Sequence, residues 1–315
     1  MVTIEDIQAA RLRIAPYIHR TPLERNETLS QEFGSNVYLK LELFQKTGSF
    51  KPRGAINQFL MADPAAKSKG IIGFSGGNFA QGMAYAGQVL NFPTTVLMPE
   101  TTPRHYIEAT RGYGTTVETA PDIAAVIAEF EKRRAAGMIG VHPYDNPNQV
   151  AGNGTASLEI AEDLPNVTDV FFSIGGGGWI YGNTVALKSL LPNARIWGVE
   201  TEKSNTMDEA FKAGKPVTIR PASLTKTLGA PIVSEDSFST LQKHLHRLIL
   251  VSDEEAIAAQ RFLLERAKVL AELAAACTLA AARKVASELG DGKTVVLALC
   301  GGNESMDSLA QYTTK

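Results

Sequence analysis

The amino-acid sequence predicts an α/β fold of mostly parallel, twisted sheets covered by helices. Along most of the 315 residues, short apolar segments of strand length alternate with longer helical segments, a pattern typical of parallel sheets. Several strand-like segments end in glycine-rich turns that lead directly into a helix. The apolar fraction of 44% and the charged fraction of 20% are ordinary for a globular protein, and the length suffices for one large domain or two smaller ones.

The composition argues against several classes of partner. The net charge is −2, and there is no basic excess for nucleic acid or block of like charge for a tail. No apolar run reaches the roughly 18 residues of a membrane span, and the first residues lack the basic and apolar regions of a signal peptide. Two cysteines do not make a disulfide framework. We therefore expect a cytoplasmic protein with neither nucleic acid nor membrane as a partner.

The elements follow in order from a first helix capped by Thr3. In the first half, we expect strands at 37–43, 70–74, 94–98, 115–119 and 138–142 and helices at 3–15, 54–61, 78–90, 103–111 and 121–136. A loop at 146–148 is a candidate crossing between domains. In the second half, we expect strands at 168–174, 195–200, 248–251 and 294–299 and helices at 150–162, after 178, 205–213, 253–268 and 271–289.

Lys51 stands where a strand and a short polar turn lead into a helix. Pro52 follows it directly and suits the first turn of a helix. The helix dipole and burial both disfavour an ammonium there, and a neutral lysine amine can attack a carbonyl. The alternative is a solvated surface lysine, the usual situation of this residue type, but Phe50 gives Lys51 a less polar setting.

Four consecutive glycines, Gly175, Gly176, Gly177 and Gly178, connect an apolar strand to a helix. Glycine lets the backbone approach a ligand closely, and N–H groups at a helix N-terminus favour a phosphate. A flexible turn is the plainer alternative, although two glycines would suffice for one. A dinucleotide fingerprint would need a further glycine at 180 or 181, where isoleucine and tyrosine stand.

Two other turns follow strands in the same way. Ser75, Gly76, Gly77 and Asn78 form the first, whose N–H groups can hold a carboxylate, although a plain helix cap by Asn78 is equally consistent. Cys300 begins the second, Cys-Gly-Gly-Asn. Standing alone, this turn would favour a buried core cysteine.

The string from Gln45 to Ala55 resembles the cofactor-lysine motif of the fold type II pyridoxal-phosphate enzymes, the threonine/serine dehydratase–serine racemase family. The resemblance implies that Lys51 forms an internal Schiff base with pyridoxal 5′-phosphate, and that the four glycines are the family's phosphate loop. It implies a tryptophan synthase β-like fold with the cofactor in a cleft between two domains. We expect a large domain at 1–69 and 147–315, a small domain at 70–146, and a homodimer.

The turn after residue 74 is similar to the family's Ser-x-Gly-Asn-His motif. The resemblance implies that Ser75, Gly76, Gly77, Asn78 and Phe79 bind the substrate and that Asn78 also faces the cofactor ring oxygen. Phe79 replaces the usual histidine and suggests a more apolar pocket. Gly76 replaces the serine that serves the racemases as acid and base, so racemisation should be weak.

The matching position for Cys300 faces the pyridine nitrogen in this family. A thiol is a weak neutral donor, which suits elimination better than transamination. Glu200 matches one acid of the family's divalent-cation site, but the surrounding residues depart from that pattern. We therefore predict no bound metal, and Glu200 is the only weak candidate for a metal ligand. We hypothesise that Lys226 supplies the positive charge that a metal ion would otherwise give.

The resemblance implies a dehydratase that eliminates water from a β-hydroxy-L-amino acid and yields a 2-oxo acid and ammonia. Lys51 would take the α-proton. The substrate would be L-threonine, L-serine or a bulkier amino acid such as L-phenylserine, because the chain also resembles the phenylserine dehydratase subgroup. The alternatives are a β-replacement synthase of the cysteine synthase type, an amino-acid racemase and a non-catalytic ligand-binding relative.

Overall fold

The computed structural model describes residues 1–313 and confirms the predicted α/β class. The strands are short, between two and seven residues. In chain order they are β1 (Leu23–Arg25), β2 (Asn36–Leu41), β3 (Ile71–Phe74), β4 (Thr94–Pro99), β5 (Thr116–Ala120), β6 (Ile139–Gly140), β7 (Asp169–Ser173), β8 (Arg195–Thr201), β9 (Arg247–Val251) and β10 (Thr294–Leu299).

The helices of the described chain stand mostly between these strands. They are α1 (Ile4–Ile14), α2 (Glu27–Phe33), α3 (Lys51–Leu60), α4 (Asn78–Leu90), α5 (Arg104–Gly112), α6 (Ile123–Ala135), α7 (Pro147–Asp163), α8 (Gly178–Leu190), α9 (Thr206–Ala213), α10 (Glu235–His244), α11 (Asp253–Glu265), α12 (Leu273–Lys284) and α13 (Met306–Thr313). None of the helices within residues 1–313 combines the length and apolarity needed to cross a bilayer.

The strands within residues 1–313 form two separate sheets. One has the order β1-β2-β10-β7-β8-β9 and the other the order β5-β4-β3-β6. β1 runs antiparallel to β2, and the other described strand pairs are parallel. The smaller sheet comes from residues inside the predicted small domain, whose limits at 70 and 146 stay a prediction.

The centre of the larger sheet is buried on both faces. Every residue of β7 and β10 is buried, which explains why these strands read as continuous apolar runs rather than alternating ones. The alanine-rich helix α12 is buried along Leu273–Ala282, because small side chains let it pack closely against the sheet. The central strands are therefore fixed by packing, and the turns at their carboxyl ends are held in place.

Several predicted boundaries were wrong. α3 begins at Lys51 rather than at 54, since Pro52 is already part of its first turn. The predicted loop at 146–148 is largely helix, because the Asn146 side chain accepts hydrogen bonds from the N–H groups of Asn148 and Gln149 and caps α7. The helix predicted at 271–289 ends at Lys284. The prediction also missed β1, α2, α10 and α13.

Candidate active site

The parallel topology brings the predicted site residues to the carboxyl ends of the strands. Lys51 comes after β2, Ser75 after β3, Gly175 after β7 and Cys300 after β10, and ligands of open α/β sheets bind at this edge. A backbone hydrogen bond from Phe50 N to the Cys300 carbonyl (3.0 Å) ties the turn before Lys51 to the turn after β10. Segments far apart in sequence thus form one site.

Lys51 is half-buried at the start of α3. Its Nζ donates a hydrogen bond to the carbonyl oxygen of Pro143 at 3.2 Å. The same nitrogen lies 4.8 Å from the ring centroid of Phe50 and 5.7 Å from that of Phe79. Phe50 in turn packs on Trp179 in the first turn of α8, with ring centroids 4.2 Å apart. The amine therefore stands in a largely aromatic setting.

This setting changes the protonation of Lys51. Loss of water around the amine lowers its pKa from 10.5 to about 8, although the carboxylate of Glu272 acts in the opposite direction. Nearby His142 also has its pKa lowered to about 4, by burial and by the charge of Lys51. A lysine with a pKa near neutrality can act as a nucleophile and as a base.

The four glycines form a bare backbone turn at the start of α8. Gly177 occupies the helix-cap position and has no side chain with which to cap the helix. Its φ of +91° is a backbone conformation that favours glycine. A Cβ atom at Gly176 would lie 2.3 Å from the ring of Tyr144, and one at Gly177 would lie 2.6 Å from the side chain of Ser237. The turn therefore offers backbone N–H groups that no side chain covers, and these residues fit a phosphate.

The turn at residues 75–78 leads into α4. The cap residue, Gly77, has no side chain with which to cap the helix, and its N–H donates a hydrogen bond to Ser75 Oγ at 3.1 Å. The Asn78 amide is held from both sides. Its Nδ2 donates to both carboxylate oxygens of Glu272 at 2.9 Å, and its Oδ1 accepts from Asn303 Nδ2 at 2.8 Å. Asn78 thus enters the site in one fixed orientation.

Phe79 and Cys300 are both buried. Phe79 belongs to the apolar cluster beside the smaller sheet and is 1% exposed. The Cys300 thiol accepts a hydrogen bond from Ser173 Oγ at 3.5 Å, and burial raises its pKa well above the ordinary value. Cys300 is therefore a neutral thiol at physiological pH, as a weak donor toward a ring nitrogen requires.

The sequence reasoning missed Glu272. This buried residue stands at the cap position of α12, and it accepts hydrogen bonds from Thr227 Oγ1 (2.9 Å) as well as from Asn78. Burial raises the pKa of its carboxyl group. A single glutamate before an alanine-rich helix carries no local pattern, and its partners are distant in sequence. Glu272 therefore holds the side chain of Asn78, and its carboxylate favours the charged form of Lys51.

A second buried cluster holds α3 in place. Arg53 is fully buried, two residues after Lys51. It contacts Glu42 at 2.8 Å and Glu159 at 2.7 Å, and Lys40 contacts Glu159 at 2.5 Å. The positive charges compensate the buried carboxylates. The cluster ties α3 to β2 and α7 and so determines where Lys51 stands.

Glu200 does not contact Lys226. Its buried carboxylate accepts hydrogen bonds from the N–H groups of Met207 (2.8 Å) and Asp208 (2.9 Å) at the start of α9, and burial raises its pKa to about 8. The exposed Lys226 donates instead to the carbonyl of Ser223 at 3.0 Å. Residues 1–313 contain no group of three or more His, Cys, Asp or Glu that could hold a metal ion. The role predicted for Lys226 stays a hypothesis.

Known proteins resemble the chain over nearly its whole length. The model of the pyridoxal-phosphate dependent enzyme family matches residues 14–301. The L-threonine ammonia-lyase of Thermotoga maritima is 36% identical over all of this chain and 79% of its own length. The L-threo-3-hydroxyaspartate ammonia-lyase of Saccharomyces cerevisiae is 35% identical over 98% of this chain and 95% of its own.

Among solved structures, maize serine racemase superposes with a TM-score of 0.93 at 28% identity, covering 98% of this chain and 96% of that one. The fold and the family thus agree with the motifs around Lys51 and the four glycines. The chain therefore belongs to the fold type II pyridoxal-phosphate dependent enzymes, and it depends on the cofactor that its lysine motif predicts.

Proposed function

We propose that the protein eliminates water from a β-hydroxy-L-amino acid with an uncharged side chain and so produces a 2-oxo acid and ammonia. The observation that carries the proposal is the half-buried Lys51 amine, with a pKa of about 8, beside a turn suited to a carboxylate. The two ammonia-lyase relatives support a carbon–oxygen lyase that depends on pyridoxal phosphate.

Most of the residues that would hold the cofactor follow the carboxyl ends of strands in the larger sheet. Lys51 would bind it covalently, the N–H groups of residues 175–178 would hold its phosphate, and Cys300 would face its ring nitrogen. Phe50 and Asn78 would contact its ring. Bound there, pyridoxal phosphate supplies an electron sink for the charge that develops at the substrate α-carbon.

The remaining chemistry belongs to this chain's own side chains. The turn at 75–79 holds the substrate carboxylate, and Lys51, as the neutral amine, takes the α-proton. Glu272 keeps Asn78 in position, and its carboxylate raises the pKa of Lys51, which stabilises the ammonium after the proton has moved. The rings of Phe50 and Phe79 lie beside the Lys51 amine in place of water, so charges there are only weakly screened.

Phe79 is the basis for the proposed side-chain preference. A buried aromatic ring at this position contributes no hydrogen bond to a polar or charged β-substituent. An uncharged substituent is therefore favoured over the carboxylate of a hydroxyaspartate. The substrates we propose are L-threonine, L-serine and the bulkier L-phenylserine.

Racemisation is the second candidate, because a serine racemase is structurally similar. Gly76 argues against it as the main reaction, since glycine has no acid or base to exchange a proton on the face opposite Lys51. β-Replacement shares the early steps but needs a second, nucleophilic substrate.

The test is a set of incubations of the purified holoenzyme with L-serine, L-threonine, L-threo-phenylserine and L-threo-3-hydroxyaspartate. We expect ammonia and a 2-oxo acid in equal amounts from the first three, less from the fourth, and none from the Lys51→Ala variant. Chiral chromatography of the remaining amino acid measures racemisation. Formation of D-amino acid faster than ammonia, with every substrate, would overturn the proposal.

A further inference from the structure

Thr102 has a buried hydroxyl that the site described so far does not use. The residue is 8% exposed, and its Oγ1 has no hydrogen-bond partner among residues 1–313. Its backbone is fixed by a hydrogen bond from its N–H to the carbonyl of Pro99 at 2.9 Å. Buried hydroxyl groups nearly always have a partner in native proteins, so this one requires an explanation.

The hydroxyl faces the turn that leads into α4. A Cβ atom at Gly76 would lie 2.9 Å from Thr102 Oγ1, closer than to the methyl carbon of the same side chain at 3.6 Å. This proximity follows from the topology, since β3 and β4 are parallel neighbours. The segments after their carboxyl ends, which carry Gly76 and Thr102, therefore lie side by side.

The same turn also presents helix N–H groups. α4 has thirteen residues, and its cap residue Gly77 supplies no side-chain acceptor. The first N–H groups of a helix lack partners within the helix and attract anions. A hydroxyl donor and a helix N-terminus thus converge on one small region.

We propose that Thr102 Oγ1 donates a hydrogen bond to the substrate carboxylate at this turn. The proposal rests on the proposed function only in that the ligand is an amino acid. Thr102 takes the place of a side chain on residue 76: because Gly76 lacks a Cβ atom, the hydroxyl reaches the turn from the neighbouring strand. A serine at 76 would have to displace it, so Gly76 and Thr102 form a matched pair.

The test compares Thr102→Val, which replaces the hydroxyl by a methyl group of similar size, with Thr102→Ser, which keeps the hydroxyl. Dissociation constants of L-alanine and of ethylamine, which is alanine without its carboxylate, are measured from the absorbance change of the holoenzyme. L-Alanine has no leaving group at Cβ, so the result does not depend on whether dehydration is the natural reaction.

We expect Thr102→Val to weaken L-alanine binding by about tenfold to a hundredfold, as for a lost hydrogen bond to a charged group, and to leave ethylamine binding almost unchanged. Thr102→Ser restores the binding of L-alanine. Equal losses for both ligands would assign Thr102 a packing role and overturn the proposal, as would no loss for either. If the unaltered holoenzyme formed D-alanine and Thr102→Val stopped that reaction without changing the dissociation constant, Thr102 would act as an acid in racemisation, and the proposal would also fail.

A double-mutant cycle tests the matched pair separately. Gly76→Ala adds a Cβ atom beside the hydroxyl and should weaken L-alanine binding in the presence of Thr102. In the Thr102→Ala background the same change should cost less, because the nearest atom has been removed. Equal effects in both backgrounds would contradict the pairing. Thermal unfolding of each variant checks that the fold is intact.

Discussion

The structure predicts that the amine of Lys51 titrates near pH 8 in the cofactor-free protein. With a pKa of about 8, about one tenth of the molecules carry a neutral amine at pH 7, against about one in three thousand for an unperturbed lysine. The site thus increases the reactive fraction by about 300-fold. The cause is the loss of water around Nζ beside Phe50 and Phe79.

Competitive acetylation of the cofactor-free protein measures this directly. The rate of labelling at Lys51 is followed by mass spectrometry from neutral to alkaline pH, with Nα-acetyl-lysine in the same tube as the reference. We expect a midpoint near 8 for Lys51. A midpoint close to that of the free reference would refute the argument from burial.

The Glu272→Gln substitution should lower the pKa of Lys51 further. The carboxylate raises the pKa of Lys51, so its removal should move the labelling midpoint further below 8. A midpoint that stays constant or rises would show that Glu272 does not act on Lys51 through its charge.

Three further predictions concern single substitutions. Arg53→Met leaves the buried carboxylate of Glu42 without its cation and removes one of the two cations at Glu159. The free energy of unfolding in urea should therefore fall by about 3–5 kcal/mol, while Arg104→Met on the surface should cost less than about 1 kcal/mol; equal losses would contradict the account. Phe79→His should reduce the kcat/KM preference for L-phenylserine over L-serine by about tenfold, and an unchanged ratio would remove Phe79 from specificity. Gly176→Ala places a Cβ atom 2.3 Å from the ring of Tyr144 and should weaken cofactor binding, measured by equilibrium dialysis, by at least about tenfold. Gly112→Ala is the matched control: no atom of another described segment lies within 4 Å of its Cβ position, so this variant should bind the cofactor normally.

The parts of the site that sequence could predict are those with a local pattern. Lys51 follows a strand and a polar turn and precedes a proline, and Gly175–Gly178 follows an apolar strand. Both patterns depend on a few consecutive residues. The three-residue strand β1 and the seven-residue helix α2 were missed because elements this short show too little periodicity.

Other residues matter through contacts that no local pattern reveals. Glu272 reaches Asn78 across 194 positions of sequence, and Thr102 reaches Gly76 only because β3 and β4 pair. Arg53 lies inside the lysine motif, but its partners Glu42 and Glu159 come from other segments. These relations require the sheet order, which the sequence pattern does not specify.

Mapping of the cofactor attachment tests the central claim most directly. The holoenzyme is reduced with borohydride, digested, and searched by mass spectrometry for the peptide that carries the reduced cofactor. The account predicts modification at Lys51 and no cofactor on the exposed neighbour Lys46. Attachment at another lysine, or no attachment after incubation with pyridoxal phosphate, would contradict it.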